Sequence, residues 1–85
     1  MEIDFDPAKD EINISKHGIS LARAADLEIR AVIEDTRLDY GEVRYRAFGF
    51  IEGAAYCLAF AARGDAIRAI SLRRAHSREM KRYAP

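Results

Sequence analysis

The fold is decided between residues 44 and 74, which read RYRAFGFI (44–51), EG (52–53), AAYCLAFAA (54–62), RGD (63–65) and AIRAISLRR (66–74). The three longer runs are rich in aromatic, β-branched and small apolar residues, and the short breaks between them contain Gly53 and Gly64. Strand-like runs parted by such short breaks predict consecutive hairpins, hence an antiparallel meander. Alternation along the last run puts Arg68, Ile70, Leu72 and Arg74 on one face and Ile67, Ala69, Ser71 and Arg73 on the other. Each face then carries an arginine at the end of an otherwise apolar or small row. The face that packs on the rest of the chain must release its arginine at the rim, where a partly desolvated guanidinium fork suits phosphate. Protection of an edge strand by charge explains the same arginines equally well.

Working outward, Ile3-Asp4-Phe5 reads as a short strand leading into Asp6-Pro7, an N-cap acid followed by proline at the first helical position. The helix is expected to run to about Lys16 and to stop at Gly18, with Ala8 and Ile12 on its inner side and Lys9, Asn13 and Lys16 sharing another. Ser20 is positioned to cap a second helix over Leu21–Arg30, whose polar residues Arg23, Asp26 and Arg30 form a narrow wet stripe. Ala31-Val32-Ile33 reads as a brief strand or linker, residues 34–42 as a loop, and His76–Tyr83 as a short basic helix or tail. The expected architecture is a single α+β domain over residues 1–85: two N-terminal helices, a three- to four-stranded antiparallel sheet and a short C-terminal helix.

Eighty-five residues with 49% hydrophobic content argue against disorder. A chain this short buries only about 60–65% of its unfolded surface, so a partner that covers apolar surface matters to it. Net charge is zero, yet residues 1–42 hold 11 acids against 5 bases and residues 43–85 hold 3 acids against 9 bases. Such a split between halves points to a polyanion-binding surface. Eleven of the 14 bases are arginine, which suits bidentate phosphate contact and base stacking better than lysine does. The single cysteine, Cys57, excludes an intrachain disulfide, and its apolar run predicts a buried, inert thiol. The opening Met1–Asp6 is acidic where a leader needs a basic start, and no apolar run approaches a membrane span, so a cytoplasmic location is expected. The two histidines lie 59 residues apart, no Cys/His cluster exists, and the acids of the first half are dispersed, so neither a metal nor a cofactor is expected. No glycine-rich phosphate loop and no serine-centred elbow is present. His17, beside Lys16, either transfers protons or caps the C-terminus of the first helix; His76, next to Ser77, is placed either to titrate or to start the last helix.

These pieces together resemble the BrnT family of bacterial toxins. Phe5-Asp6-Pro7-Ala8-Lys9, Asn13 and Lys16-His17-Gly18-Ile19-Ser20 are similar to its opening F-x-D-x-x-K…N-x-x-K-H-G-[VI]-[ST]. Asp35-Thr36-Arg37, Asp39-Tyr40-Gly41-Glu42 and Arg44-Tyr45, with Ala47 and Gly49 after them, look like its D-x-R…D-Y-G-E-x-R-Y stretch. Arg63-Gly64, Ile67-Arg68, Ile70-Ser71, Arg73-Arg74-Ala75, Glu79 and Tyr83 look like R-G…I-R-x-I-S-x-R-x-A…E-x-x-x-Y. Three ordered blocks cover nearly the whole chain. Two positions depart: the tryptophan common beside the opening aspartate is absent, and His76 stands where threonine is frequent.

The resemblance implies a RelE-like fold, a type II toxin that blocks growth and translation by cutting RNA, and neutralisation by a BrnA-like antitoxin. That antitoxin would bind DNA through a ribbon-helix-helix domain, so the toxin would meet DNA only indirectly, and a 2:2 complex is the expected assembly. Metal-free RNA cleavage needs a base for the 2′-hydroxyl, cations for the phosphate and an acid for the leaving 5′-oxygen. On that template Arg68 and Arg73, supported by Arg63 and Arg74, form the phosphate clamp. Lys16 and His17 transfer protons or stabilise charge, Lys9 is a second phosphate contact, and Tyr45 and Tyr83 either stack bases or pack in the core or at the rim. Glu79 pairs with Lys81 or Arg82 at the surface, or orients an arginine. By simple alternation Arg68 and Arg73 point to opposite faces and meet one phosphate only at a twisted edge or strand end. A non-catalytic RNA-binding module, or a protein-interaction domain docking a basic partner, uses the same charge pattern without cutting RNA.

Overall fold

A computed structural model describes residues 2–85. Strand β1 (Glu2–Asp4) leads into helix α1 (Pro7–His17), a 3₁₀ turn (Leu21–Asp26), and strands β2 (Glu28–Asp35), β3 (Arg44–Ile51), β4 (Ala54–Arg63) and β5 (Ala66–Arg74), and helix α2 (Ser77–Tyr83) closes the chain. The five strands form one mixed sheet in the order β1-β5-β4-β3-β2. The meander β3-β4-β5 forms as its turns require. Glu52 and Gly53 both take positive φ (49° and 79°), the backbone of a two-residue type I′ hairpin.

Two parts of the expected architecture do not form. The second N-terminal helix is replaced by the six-residue 3₁₀ turn and then by β2, an eight-residue antiparallel partner of β3. Leu21 and Ala24, three apart, are its buried residues, matching the spacing at which a 3₁₀ turn stacks its side chains. At Leu27 the backbone turns extended (φ −71°, ψ 119°), and the β-branched Ile29, Val32 and Ile33 continue along β3. Pairing with a long neighbouring strand overrides the helix propensity of an Ala-, Leu- and Glu-rich segment. The sheet is also not purely antiparallel with three or four strands. β1 pairs in parallel with β5 over Glu2–Asp4 and Ala66–Arg68, adding a fifth strand that runs in the same direction as its neighbour.

One face of the sheet holds the main core. Ala47 and Ile51 of β3, Leu58 of β4, and Ile67, Ala69 and Leu72 of β5 meet Ile19, Leu21, Ala24 and Leu27 from the segment after α1. Helix α1 is capped as its sequence dictates: the Asp6 side chain accepts from Ala8 N–H, and Gly18 ends it in the left-handed conformation. It lies along β5 without entering the core, and Ile12, expected on its inner side, is 57% exposed. Its buried residue is Asn13. The Asn13 amide donates to Leu72 O and to Ile19 O, both at 2.9 Å, and its Oδ1 accepts from Leu72 N at 3.0 Å. β1 pairs β5 only as far as Arg68, so Asn13 supplies at Leu72 the two hydrogen bonds a neighbouring strand would have made. A second tie, this one through a carboxylate, joins α1 to the 3₁₀ turn: Asp10 accepts from Ser20 Oγ (3.0 Å) and Leu21 N (2.6 Å).

The opposite face holds a smaller core under α2. Tyr83 stacks on the fully buried Phe48 with centroids 5.1 Å apart, and Cys57 is buried beside them. Burial pushes the Cys57 thiol up, against the opposing pull of Arg73, which keeps it protonated and unreactive. No helix among the described residues is long and apolar enough to cross a membrane.

Candidate active site

The position of the arginines follows from one residue. In the β4–β5 ladder Ala59 faces Ser71 and Phe60 faces Ala69, so Ile70 has no partner and forms a β-bulge. Ile67 and Ala69 point into the core before the bulge, and Leu72 does so after it. Simple alternation, which put Arg68 and Arg73 on opposite faces, therefore fails. Cys57, Ala59 and Ala61 alternate along one face of β4, and their β5 partners are Arg73, Ser71 and Arg68. Directly paired residues share a face, so both arginines stand on the face away from the main core.

The same register carries across to β3. Cys57, Ala59 and Ala61 pair there with Phe48, Arg46 and Arg44. The result is three rows running across the sheet: Phe48–Cys57–Arg73, Arg46–Ala59–Ser71 and Arg44–Ala61–Arg68. Alanine and serine form a low floor, and guanidinium groups rise from the strands on either side of it. Arg63 continues this face at the end of β4, 3.8 Å from Glu42.

Each arginine is held differently. Arg73 forms a fork-to-fork pair with Glu79 of α2, at 2.9 and 3.0 Å. Arg73 pulls the Glu79 carboxyl down to about 2 against a smaller opposing effect of burial. Arg46 lies beside the stacked rings of Phe48 and Tyr83, 5.6 and 5.5 Å from their centroids, with its nearest carboxylate, Glu79, at 3.9 Å. Arg44 lies 4.4 Å over the Tyr40 ring and reaches Glu42 at 3.3 Å. Arg68 has no hydrogen-bond or ion-pair partner among the described residues. The loop that presents Tyr40 is pinned by Asp35, which takes a bidentate grip from Arg37 (2.8 and 2.9 Å) and a hydrogen bond from Tyr40 Oη (3.0 Å). Hydrogen bonding from Arg37 holds the Asp35 carboxyl well below the usual carboxylate range.

A cleft of about 260 Å³ opens between α1 and β5, lined by Lys9, Ile12, Asn13, Lys16, His17, Ile70 and Ser71. Lys9 and Lys16, expected on one side of α1, gather there with the adjacent His17. Ser71 joins the two regions, since it lines the cleft and also sits in the floor between the arginines. Two expected contacts lie elsewhere. Arg74 pairs with Tyr56 on the core side of the sheet and covers that ring at 5.5 Å. Tyr45 is on the core side too, stacked on Phe60 with centroids 5.4 Å apart. Tyr83 is on the arginine face, packed at the rim.

Sequence reasoning passed over Arg44 and Arg46 as site residues. Their i, i+2 spacing on a predicted strand was the signal that could have found them. His76 precedes α2 as its N-cap, and its backbone N–H donates to Glu79 Oε1 at 2.8 Å. Among the described residues no group of three or more His, Cys, Asp or Glu side chains is arranged to hold a metal ion.

A family model described as "ribonuclease toxin, BrnT, of type II toxin-antitoxin system" matches residues 5–79. The crystal structure of the Brucella abortus ribonuclease toxin BrnT is similar to this chain at 28% identity and a TM-score of 0.66, covering 91% of this chain and 99% of that one. Among curated proteins no sequence relative is found. The matched residues contain α1, the whole meander, the bulge and Glu79, and on that match the chain belongs to the BrnT family of type II toxin–antitoxin ribonuclease toxins.

Proposed function

We propose that this chain is an endoribonuclease that cuts RNA without a metal ion and that the arginine face is where it does so. The observation that carries the reading is the Ile70 bulge, which puts Arg68 and Arg73 on the same sheet face as Arg44 and Arg46 above an Ala59–Ala61–Ser71 floor. Cleavage through the 2′-hydroxyl builds negative charge on the phosphate oxygens, and fixed cations placed before the reaction are the most effective way to stabilise it. Arginine forks supply that charge in the bidentate geometry phosphate accepts. Arg68, with free donors, and Arg63, at the strand end, are suited to hold the RNA backbone on either side. Lys9, Lys16 and His17 form a second cationic rim across Ser71, with His17 the group suited to give the leaving 5′-oxygen its proton. Tyr83 offers one ring edge to a base at the end of the face. Arg74 and Tyr45 take no part.

Cutting RNA accounts for growth and translation arrest, and a BrnA-like antitoxin with a ribbon-helix-helix domain is the partner we assign, in a 2:2 assembly that reaches DNA through the antitoxin. What supports a partner is exposed apolar surface. Ile29 and Val32 on the edge strand β2, and Leu38 and Val43 beside it, are each at least half exposed. Patches of that kind are what a stable partner covers. The test is cleavage of single-stranded RNA by the purified chain in the presence of a chelator. Cutting that persists, with a partner protein abolishing it, supports the assignment; binding without cutting identifies a non-catalytic module instead.

A further inference from the structure

Resting on the ribonuclease reading above, we propose that the scissile phosphate sits against Arg46 and Arg73, and that Glu79 is the general base that takes the 2′-hydroxyl proton. Three observations point there. First, the Arg46 side chain is only 10% exposed, yet it makes no hydrogen bond to any described residue, and its Nε is without a partner. Its 3.9 Å approach to Glu79 is an ion pair and too long for a hydrogen bond. A buried guanidinium with free donors is costly unless an anion completes it. A phosphodiester lying over the Ala59 and Ser71 floor would do so.

Second, the two Glu79 oxygens are used unequally. Oε1 accepts from Arg73 Nη1 and from His76 N, whereas Oε2 accepts only from Arg73 Nη2 and faces Arg46. Oε2 therefore has a lone pair free on the side where the phosphate would lie. Third, the other carboxylates near these rows are engaged elsewhere: Asp35 is consumed by Arg37 and Tyr40, and Glu42 pairs with Arg44 and Arg63. That leaves Glu79 as the acid beside Arg46 and Arg73 able to exchange a proton with substrate.

The step is balanced as follows. The 2′-hydroxyl proton moves to Glu79 Oε2, and the freed pair on O2′ forms the bond to phosphorus. The P–O5′ bond breaks with its pair on the 5′-oxygen, which takes a proton from His17 of the adjoining cleft. The products are a 2′,3′-cyclic phosphate and a 5′-hydroxyl, and solvent returns both side chains to their starting states. Arg73 holds Glu79 ionised in the free protein. A phosphate that engages the same guanidinium loosens that hold, so the carboxylate becomes a stronger base as substrate arrives. The charged and titratable groups facing Glu79 are Arg73 on β5, Arg46 on β3, Cys57 on β4 and His76 on α2.

The experiment compares the full chain with Glu79→Gln on single-stranded RNA, measuring cleavage against pH, and on the all-deoxy oligonucleotide of the same sequence, measuring affinity. The expected result is a roughly 10²–10⁴-fold loss of cleavage, disappearance of the low-pH limb of the rate profile, and retained affinity for the deoxy strand. Arg46→Lys, which keeps the charge beneath Tyr83 but loses the fork, is expected to lower the cleavage rate as well, and it carries the test should Glu79→Gln not fold. Cleavage by Glu79→Gln within about tenfold of wild type, with its low-pH limb intact, is less than removal of a general base produces and overturns the proposal, as does wild-type cleavage by Arg46→Lys. A wild-type chain that cuts no RNA is a different failure, because it removes the ribonuclease reading itself.

Discussion

Replacing Asn13 by alanine tests the least expected joint in the fold. The Asn13 amide makes three buried hydrogen bonds, two to backbone groups of Leu72 and one to Ile19 O. Each contributes about 1 kcal/mol net, so their loss alone costs about 3 kcal/mol. Two carbonyls and one N–H are then left without partners, at about 1–3 kcal/mol each if water cannot reach them. Asn13 lines the cleft between α1 and β5, so water can reach part of the gap and the larger sum does not apply. The expected loss is about 3–5 kcal/mol, a large share of the roughly 4–13 kcal/mol available to a chain of this size. In thermal unfolding, 3 kcal/mol corresponds to a fall of about 12–24 °C, and urea unfolding should show a lower midpoint with an unchanged slope. Asn13→Asp should be at least as damaging at neutral pH, since a carboxylate would face the Ile19 and Leu72 carbonyl oxygens. A loss below about 1 kcal/mol for Asn13→Ala would refute the view that this amide takes the place of a sixth strand along β5.

Other consequences are as direct. Gly49→Ala should cost at least about 2 kcal/mol in urea unfolding, because a Cβ there lands on the Glu28 carbonyl oxygen of the neighbouring strand. Glu79 has its carboxyl lowered from 4.5 to about 2, so its contribution is fully present above 4.5 and lost as pH falls through about 2. At full strength that is about 3 kcal/mol; with Arg73 27% exposed and screened by solvent, about 1–2 kcal/mol is expected. The stability difference between wild type and Glu79→Gln should therefore shrink steadily as pH drops toward 2. Arg68→Ala should change stability by no more than about 0.5 kcal/mol, while the slope of log affinity for single-stranded RNA against log salt falls by about 0.7.

Elements with local signals were legible in the sequence. Asp6-Pro7 and Gly18 bounded α1, and Glu52-Gly53 and Arg63-Gly64-Asp65 marked both turns of the meander. β2 showed only at Ala31-Val32-Ile33, as a brief strand or linker, because its first residues continue a run of good helix formers and only pairing with β3 makes them extended. β1 was legible as a short strand at Ile3-Asp4-Phe5, but its parallel pairing with β5, more than 60 residues away, is something no local pattern reveals. The bulge had the greatest functional effect and the faintest trace. An unpaired Ile70 is as apolar as its neighbours, and only the uneven spacing of Ile67, Ala69 and Leu72 betrays the change of face. Missing it separated Arg68 from Arg73 and grouped Arg68 with Arg74, which stands with Leu72 on the core side. Lys9, Asn13 and Lys16 were placed on one side of α1 by their helical spacing, and they do line one cleft. Arg46 was passed over because its burial depends on Tyr83, which reaches it from the far end of the chain.

The most direct test of the central claim is to incubate the purified chain with single-stranded RNA in EDTA beside an Arg73→Ala variant of verified fold. Cleavage that survives the chelator and is lost in the variant is the result expected of an arginine face that cuts RNA without a metal ion. Cleavage abolished by EDTA and restored by a divalent cation, or undiminished in Arg73→Ala, would contradict it.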